Sequence, residues 1–266
     1  MELERLPTER GARFYKTHTG LKLPSVTTIL GVIAKPALIP WAAQRERESV
    51  IAAVKRAYDD MTQFEGTAPT TEMFMELTAA ELEKEKADQS ALRRAATIGT
   101  QVHARIEWEF LGELKRERSD DPPPLESAEA ERSFGRASDW RKATKLKVID
   151  TERMVASLHG QYAGTLDALV KVGGKVGILD FKTGKRVYEE AYLQSCAYRL
   201  ALAEEGIKTQ TGWIVLLPKS EGEEPFQVIE TPPIAEMIAP WQAALSLYRW
   251  TREQKRKDND GKTTQR

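Results

Sequence analysis

A hairpin centred on two adjacent glycines constrains this chain more than any other feature of the sequence. Residues 162–172 and 175–181 both alternate between apolar and polar side chains, as strands do. Gly173 and Gly174 lie between them and supply the positive φ angles that a two-residue turn requires. The sequence therefore predicts an antiparallel strand pair with a defined register.

The register of this hairpin brings acidic side chains together. A turn at the two glycines pairs residues whose numbers sum to about 347, so Asp167 is predicted opposite Asp180. Because strand side chains alternate, Asp180 and Lys182 point to one face. Two carboxylates this close repel each other unless a cation lies between them. A divalent metal ion is the natural occupant, and oxygen ligands suit Mg²⁺ or Mn²⁺.

The rest of the chain predicts an α/β fold with a mixed central sheet flanked by helices and mostly helical N-terminal additions. Helices are predicted over 26–33, from Pro36 or Pro40 past Tyr58, and over 72–86, 88–111, 126–144, 187–205 and from Ile234 onward. Strands are predicted over 13–17, 21–23, 146–158, 211–217 and 226–230, in addition to the hairpin. In the last helix, Trp241 and Trp250 are expected to lie in the core.

This pattern predicts one domain over residues 1–254. The helical additions are placed at 24–145, and the core sheet and helices at 97–250. Residues 255–266 are polar and lack apolar side chains, so we expect a disordered tail there.

Composition excludes several classes of protein. Forty basic residues balance forty acidic ones, so a nucleic-acid site has to be a local patch on a neutral body. A single cysteine excludes disulfides within the chain and a four-cysteine iron–sulfur cluster. There is no apolar run of about 20 residues and no signal-peptide core. We expect a cytoplasmic protein without a membrane segment.

Four motifs in a fixed order resemble a known superfamily. They are Gly-Thr-Gln-Val-His-Ala-Arg-Ile-Glu at 99–107, Gly-Thr-Leu-Asp at 164–167, Asp-Phe-Lys-Thr-Gly at 180–184 and Gln-Ser-Cys-Ala-Tyr at 194–198. Together they resemble the PD-(D/E)XK nuclease superfamily, and more narrowly its RecB-type exonuclease branch, which includes phage and mitochondrial genome maintenance exonucleases. Residues 24–30, Pro-Ser-Val-Thr-Thr-Ile-Leu, resemble the opening of several phage members. Leu166 replaces the name-giving proline, and the cysteines of the iron–sulfur members are absent.

The resemblance implies a restriction-endonuclease-like core and a set of site residues. The implied metal ligands are His103, Asp167, Asp180 and the backbone carbonyl of Phe181. The implied catalytic residues are Lys182, Asp180, Asp167, Gln194 and Tyr198. Lys182 orients or deprotonates the attacking water and offsets phosphate charge, while Gln194 and Tyr198, one helical turn apart, border the site.

Further residues are candidates for contact with substrate or for an outer shell around the metal. Thr183, Lys185 and Arg186 follow the strand end and are candidates for phosphate contacts. Tyr188 and Tyr192 are candidates for stacking on the bases of a single strand. Glu107 and Glu152 are candidate outer-shell acids, although Glu107 is equally well explained as a surface partner one turn after His103.

The sequence thus predicts a Mg²⁺- or Mn²⁺-dependent deoxyribonuclease without an iron–sulfur cluster. By analogy with the branch it is expected to be an exonuclease on DNA ends or single strands, in DNA recombination, repair or phage DNA processing. DNA is the expected partner, with a recombination or replication protein of unknown identity as a further one. Two alternatives stay open, namely a non-catalytic DNA-binding or recombination scaffold on this fold and an endonuclease.

Overall fold

The chain divides into two compact units, each described by itself. The structure is a computed structural model that describes residues 2–9, 11–33, 38–62, 70–87, 90–183, 186–217 and 226–263. The first unit comprises residues 1–33 and 97–266, and the second comprises residues 34–96. The sequence predicted one domain over residues 1–254.

A small antiparallel sheet opens the first unit. Its strands, in spatial order, are β1 Leu3–Arg5, β2 Phe14–Thr17 and β3 Lys22–Pro24. Helix α1, Val26–Leu30, follows, and its N-cap is Ser25, whose hydroxyl oxygen accepts the Thr28 backbone N–H at 3.0 Å. Strands β2 and β3 and helix α1 were predicted. Strand β1 was missed because three residues are too few to show an alternating pattern.

Four long helices follow in the chain. They are α2 Leu38–Thr62, α3 Thr71–Ala87, α4 Ser90–Glu113 and α5 Ala128–Thr144. An ion pair of 2.8 Å between Arg56 and Glu81 links α2 to α3 within the second unit. The prolines at 122–124 lie between α4 and α5, where they break the helical pattern.

In the part of the chain that the structure describes, the central sheet has five strands, which lie side by side in sequence order. They are β4 Lys147–Ser157, β5 Tyr162–Val172, β6 Lys175–Thr183, β7 Thr211–Leu217 and β8 Gln227–Glu230. Among the pairs that these described strands form, β6–β7 is the parallel one, because helix α6, Glu189–Glu204, forms the crossover between those strands. Helix α7, Ile234–Thr263, follows β8. The predicted mixed sheet flanked by helices is confirmed.

The two faces of the sheet bury separate hydrophobic clusters. Ile178 belongs to the cluster that α1, α6 and α7 cover, and it includes Trp241, which is 1% exposed. Leu179 and Phe181 belong to the other cluster, which α4 and α5 cover. Adjacent residues of β6 therefore point to opposite faces, as the alternation predicted. The carboxyl end of β6 lies between these two layers.

Two predictions for the end of the chain were wrong. Residues 255–263, expected to be disordered, continue α7, and Lys257 pairs with Glu253 one turn earlier at 2.8 Å. Charged residues at this spacing support a solvated helix without any apolar side chain. Trp250, expected in the core, is 60% exposed because it lies away from the face that carries Trp241. Residues 264–266 lie outside the described residues. Among the described helices, none is long and apolar enough to cross a membrane.

Candidate active site

The β5–β6 hairpin places two aspartates side by side. Gly173 and Gly174 turn with φ values of 55° and 87°, and the ladder pairs Ala168 with Leu179. The next position along each strand is Asp167 on β5 and Asp180 on β6, as the sequence predicted. There the ladder ends, and the Asp167 carboxylate accepts the Phe181 backbone N–H at 2.8 Å. A side chain thus replaces a backbone partner at this point of the sheet.

Asp180 and Lys182 form a close ion pair. Lys182 Nζ donates to Asp180 Oδ1 at 2.7 Å and lies 2.6 Å from Oδ2. Oδ2 is buried and has no hydrogen-bond partner of good geometry, because the ammonium is aligned with the other oxygen. The Asp180 side chain is 6% exposed, whereas that of Lys182 is 34% exposed. Both oxygens of this buried carboxylate therefore lie beside the ammonium, and only the contact with Oδ1 has hydrogen-bond geometry.

Burial and the neighbouring carboxylate set the charges of this pair. Burial raises the pKa of Asp180, and the charge of Asp167 adds to the effect, against the opposing pull of Lys182. Burial acts to lower the pKa of Lys182, but the charges of Asp180 and Asp167 outweigh it, so the pKa of Lys182 is raised. The exposed third of the lysine side chain limits the effect of burial. Lys182 is a stable ammonium at neutral pH.

Helix α4 places His103 at the end of β6. His103 Nε2 lies 3.0 Å from the Phe181 carbonyl oxygen, and Nδ1 lies 3.6 Å from Asp167 Oδ2. Helix α4 approaches the strand closely because Gly99 has no side chain; a Cβ there would lie 2.7 Å from the Thr183 hydroxyl oxygen. The structure thus brings His103, Asp167 and the Phe181 carbonyl together.

The predicted metal ligands do not all converge. Within the ranges described above, no group of three or more His, Cys, Asp or Glu side chains is arranged to hold a metal ion. Asp180 is turned to Lys182, Asp167 to the Phe181 N–H and His103 to the Phe181 carbonyl. The donor types nevertheless fit a divalent ion, since carboxylate oxygens, a carbonyl and an imidazole lie at one strand end. Asp180 Oδ2, which lies 2.6 Å from Lys182 Nζ without hydrogen-bond geometry, is the atom that such an ion would bind. The ligand set stays a prediction.

A third acid lies in line with the two aspartates. The β4–β5 register pairs Thr151 with Ala168 and Arg153 with Leu166, so Glu152 lies opposite Asp167. Glu152 has a φ of 45°, a left-handed conformation that costs a residue other than glycine about 1–2 kcal/mol. Strain of this kind in the middle of a strand is typical of functional positions.

The acids of this row influence one another. Desolvation, followed by the charges of Asp167 and Glu107, raises the pKa of Glu152 to about 7, although the residue as a whole is exposed. The carboxylate is therefore flanked by protein on one side and open to solvent on the other. Burial likewise raises the pKa of Glu107, against the charge of His103. Both predicted outer-shell acids thus lie within electrostatic reach of the predicted ligands.

Helix α6 covers the site from the other face of the sheet. Gln194 donates to the Tyr198 hydroxyl oxygen at 3.1 Å, and Tyr198 is buried. The tyrosine ring packs over Gly164, where a Cβ would lie 2.4 Å from Cε1. Burial raises the pKa of Tyr198, so its hydroxyl stays protonated. The shared face predicted for Gln194 and Tyr198 is present, while their catalytic roles stay predictions.

The structure describes four of the five predicted substrate contacts. Thr183 is half-buried at the end of β6, and Lys185 lies outside the described residues. The Arg186 guanidinium lies 4.6 Å from the centroid of the Tyr188 ring, and that ring is 41% exposed. Tyr192 is half-buried and packs against the hydrophobic cluster, so its ring is less open to a base than that of Tyr188. All four described residues keep their proposed roles as predictions.

Sequence reasoning missed the residues that brace the Asp167 segment. The Tyr15 hydroxyl lies 2.9 Å from the Thr165 hydroxyl, which joins the N-terminal sheet to β5 two residues before Asp167. Thr151 donates its hydroxyl to the Asp167 carbonyl oxygen at 3.0 Å. Tyr15 and Thr165 are 150 positions apart in the chain, so no local sequence pattern predicts their contact. Only the three-dimensional structure reveals it.

Comparison with protein families gives one match that covers most of the chain. The model of the PD-(D/E)XK nuclease superfamily matches residues 52–258. The match spans the predicted site and leaves out the N-terminal sheet. No match is found among curated proteins.

Solved structures of low similarity also match. LHK-Exo in complex with dAMP shares 12% identity with a TM-score of 0.36, over 63% of this chain and 98% of that one. An exonuclease candidate from Eubacterium rectale shares 14% identity with a TM-score of 0.41, over 77% of this chain and 82% of that one. SSO0001 shares 12% identity with a TM-score of 0.27, over 56% and 74%. Likenesses this distant carry no further argument.

Proposed function

The chain belongs to the PD-(D/E)XK nuclease superfamily, whose members generally use divalent metal ions, and we propose that it is a metal-dependent deoxyribonuclease. The five-stranded mixed sheet flanked by helices is the restriction-endonuclease-like fold of that superfamily. The observation that supports the proposal best is the buried Asp180–Lys182 pair beside Asp167. A protein that needed this pair only for stability would gain nothing from facing it with a second carboxylate.

The proposed metal is Mg²⁺ or Mn²⁺. His103, Asp167, Asp180 and the Phe181 carbonyl would hold it, because they are the oxygen and imidazole donors at this end of β6. When bound, such an ion polarises the scissile phosphate and lowers the pKa of a coordinated water. Asp180 would have to exchange its contact with Lys182 for this role, because both of its carboxylate oxygens lie within 2.7 Å of Lys182 Nζ.

Lys182 is proposed as the residue that balances negative charge on the phosphate. Its raised pKa keeps the amine protonated, which suits it to orienting a water and stabilising a developing anion. Deprotonation of the water by Lys182 would require Asp180 and Asp167 to be neutralised first. Gln194 and Tyr198 are proposed to support this end of β6 through their mutual hydrogen bond.

An exonuclease acting on DNA ends or single strands is the finer form of the proposal. It follows the resemblance of the four motifs to the RecB-type branch, and roles in recombination, repair or phage DNA processing follow from the same resemblance. The exposed Tyr188 ring beside Arg186 is suited to stacking on a base next to a phosphate.

One assay tests the proposal. The purified chain is incubated with 5′- and 3′-labelled oligonucleotides, single- and double-stranded, linear and circular, with Mg²⁺, Mn²⁺ or EDTA. We expect degradation of linear DNA with metal and none with EDTA. Lys182→Ala should abolish cleavage. Lys175→Ala, at the other end of β6, should not, because it removes only an exposed ion pair with Glu230. Binding without cleavage would favour the scaffold instead, and discrete fragments from circular duplex would favour an endonuclease.

A further inference from the structure

The N-terminal sheet presents two arginines on the face that packs against the central sheet. In the β1–β2 ladder, Arg5 pairs with Tyr15, and directly paired residues point to the same face. Arg13 precedes Tyr15 by two residues, so it points to that face as well. Leu3 and Leu23 lie on the same face and pack against Ala156 and Ala163 of the central sheet.

Tyr15 fixes where this face lies relative to the candidate active site. Its hydroxyl contacts Thr165, two residues before Asp167, at 2.9 Å. The backbone of Arg13 is held in turn, since its N–H donates to the Thr28 hydroxyl at 2.9 Å and its carbonyl accepts the Ser25 N–H at 2.9 Å. The arginines are therefore carried on a braced sheet and not on a loose terminus.

The charges of Arg5 and Arg13 act to lower the pKa of Glu152, although neither side chain forms an ion pair within the described ranges. Glu152 lies opposite Asp167. Within the described ranges, neither arginine makes a side-chain hydrogen bond or an ion pair. Arg5 is exposed and Arg13 is half-buried. Two cations thus stand beside the site with their donors unused.

We propose that Arg5 and Arg13 are positioning residues that bind backbone phosphates of the DNA strand as it enters the candidate active site. Arginine suits this task because its planar fork matches phosphate geometry and its charge does not titrate. The inference rests on the proposed function, which supplies a phosphodiester substrate at Asp167 and Asp180. It adds a part of the chain, residues 1–33, that lies outside the segment matched by the family model.

Binding of DNA measured without turnover tests this inference. The probe is a fluorescein-labelled single-stranded oligonucleotide in EDTA, and its dissociation constant is measured over a series of salt concentrations. Arg5→Gln and Arg13→Gln are each expected to weaken binding about tenfold. The double variant should also reduce the salt slope by about 1.4, since each phosphate contact on a single strand contributes about 0.7. Lys16→Gln is the matched control, because Lys16 is an exposed cation on the opposite face of β2.

Two further measurements separate positioning from a structural role. With metal present, the double variant should show a raised KM and a nearly unchanged kcat, and Arg5→Lys with Arg13→Lys should restore most of the binding. The inference would be overturned if the Gln double variant kept the dissociation constant and salt slope of the wild type. If the wild type still cleaved DNA in that case, the nuclease proposal would stand. The inference would also be overturned if the Lys variants bound no better than the Gln variants. A wild-type chain that neither binds nor cleaves DNA would overturn the proposed function and this inference with it.

Discussion

Two aspartates on strands of the same sheet have opposite electrostatic surroundings. Asp150 on β4 accepts from Arg116 at 2.6 Å and from Arg153 at 2.8 Å, so its charge is fully compensated. Asp180 on β6 has both oxygens within 2.7 Å of Lys182 Nζ, and the charge of the neighbouring Asp167 acts on the same ammonium. The first arrangement is that of a structural network of ion pairs. In the second, the negative charges of Asp167 and Asp180 are not fully compensated by Lys182.

The pKa shifts of the two groups express the same difference. Burial acts to raise the pKa of Asp150, but hydrogen bonds from Arg116 and Arg153 outweigh it and lower the pKa below its usual 3.8. Burial raises the pKa of Asp180, and Lys182 does not cancel the effect. A buried carboxylate with a raised pKa is typical of functional sites, which supports the role proposed for Asp180.

The largest expected effect is on turnover. Asp180→Asn should lower the cleavage rate about 10³-fold, because it removes a proposed metal ligand and the partner of Lys182. Asp150→Asn should leave the rate constant per folded molecule close to that of the wild type. Single-turnover cleavage of a labelled oligonucleotide with Mg²⁺ measures both. Equal losses of cleavage rate in the two variants would contradict the proposal that Asp180 acts in cleavage and Asp150 does not.

The next effect is on stability. Asp150→Asn should lower the free energy of unfolding by about 2 kcal/mol, because Arg116 and Arg153 lose charged hydrogen bonds to a side chain that is 13% exposed. Asp180→Asn should cost less, since it also removes repulsion from Asp167. Urea unfolding in EDTA at neutral pH measures both values. A larger loss for Asp180→Asn would mean that its pair with Lys182 is primarily structural.

The smallest effect is a difference in pH dependence. A lowered folded-state pKa contributes stability that is present above 3.8 and is lost as the pH falls through the folded value. The deficit of Asp150→Asn should therefore shrink as the pH is lowered below 3.8. A raised folded-state pKa has the opposite sign. Wild type should lose stability relative to Asp180→Asn as the pH rises above 3.8 towards the folded pKa of Asp180.

These two trends can be followed by thermal unfolding in EDTA across the acidic range. Parallel curves for the two variants would contradict the assigned directions of the pKa shifts. Glu152→Gln offers a further comparison, since the pKa of Glu152 is raised to about 7. It should stabilise the protein relative to wild type above that pH and have little effect below about pH 4.

Local chemistry made the site's framework predictable from the sequence. Two glycines with positive φ set the hairpin register, and that register alone placed Asp167 next to Asp180. Alternation then placed Lys182 beside Asp180. Gly206, with a φ of 82°, follows the end of α6, close to the predicted helix end at residue 205. Each of these inferences used interactions between residues that are close in the chain.

What the sequence missed depends on contacts between distant residues. The shift of register between Val148 and Asp150 decides which β4 residue faces Asp167, and no pattern in β4 reveals it. The left-handed Glu152 is likewise invisible to propensity rules, which assign glycine or asparagine to such positions. The Asp180 side chain points to Lys182 and does not converge with His103 and Asp167. Packing of the folded site sets this rotamer, so sequence patterns do not reveal it.

The measurement that tests the central claim most directly is the binding of Mn²⁺, followed by electron paramagnetic resonance of the free ion. The claim is that Asp167 and Asp180 create a need for positive charge that a divalent ion fulfils. Wild type and Asp150→Asn are predicted to take up Mn²⁺ with the same affinity, whereas Asp180→Asn and Asp167→Asn should bind it at least tenfold more weakly, a difference of about 1.4 kcal/mol. Equal uptake by all four proteins, or none by the wild type, would contradict the account.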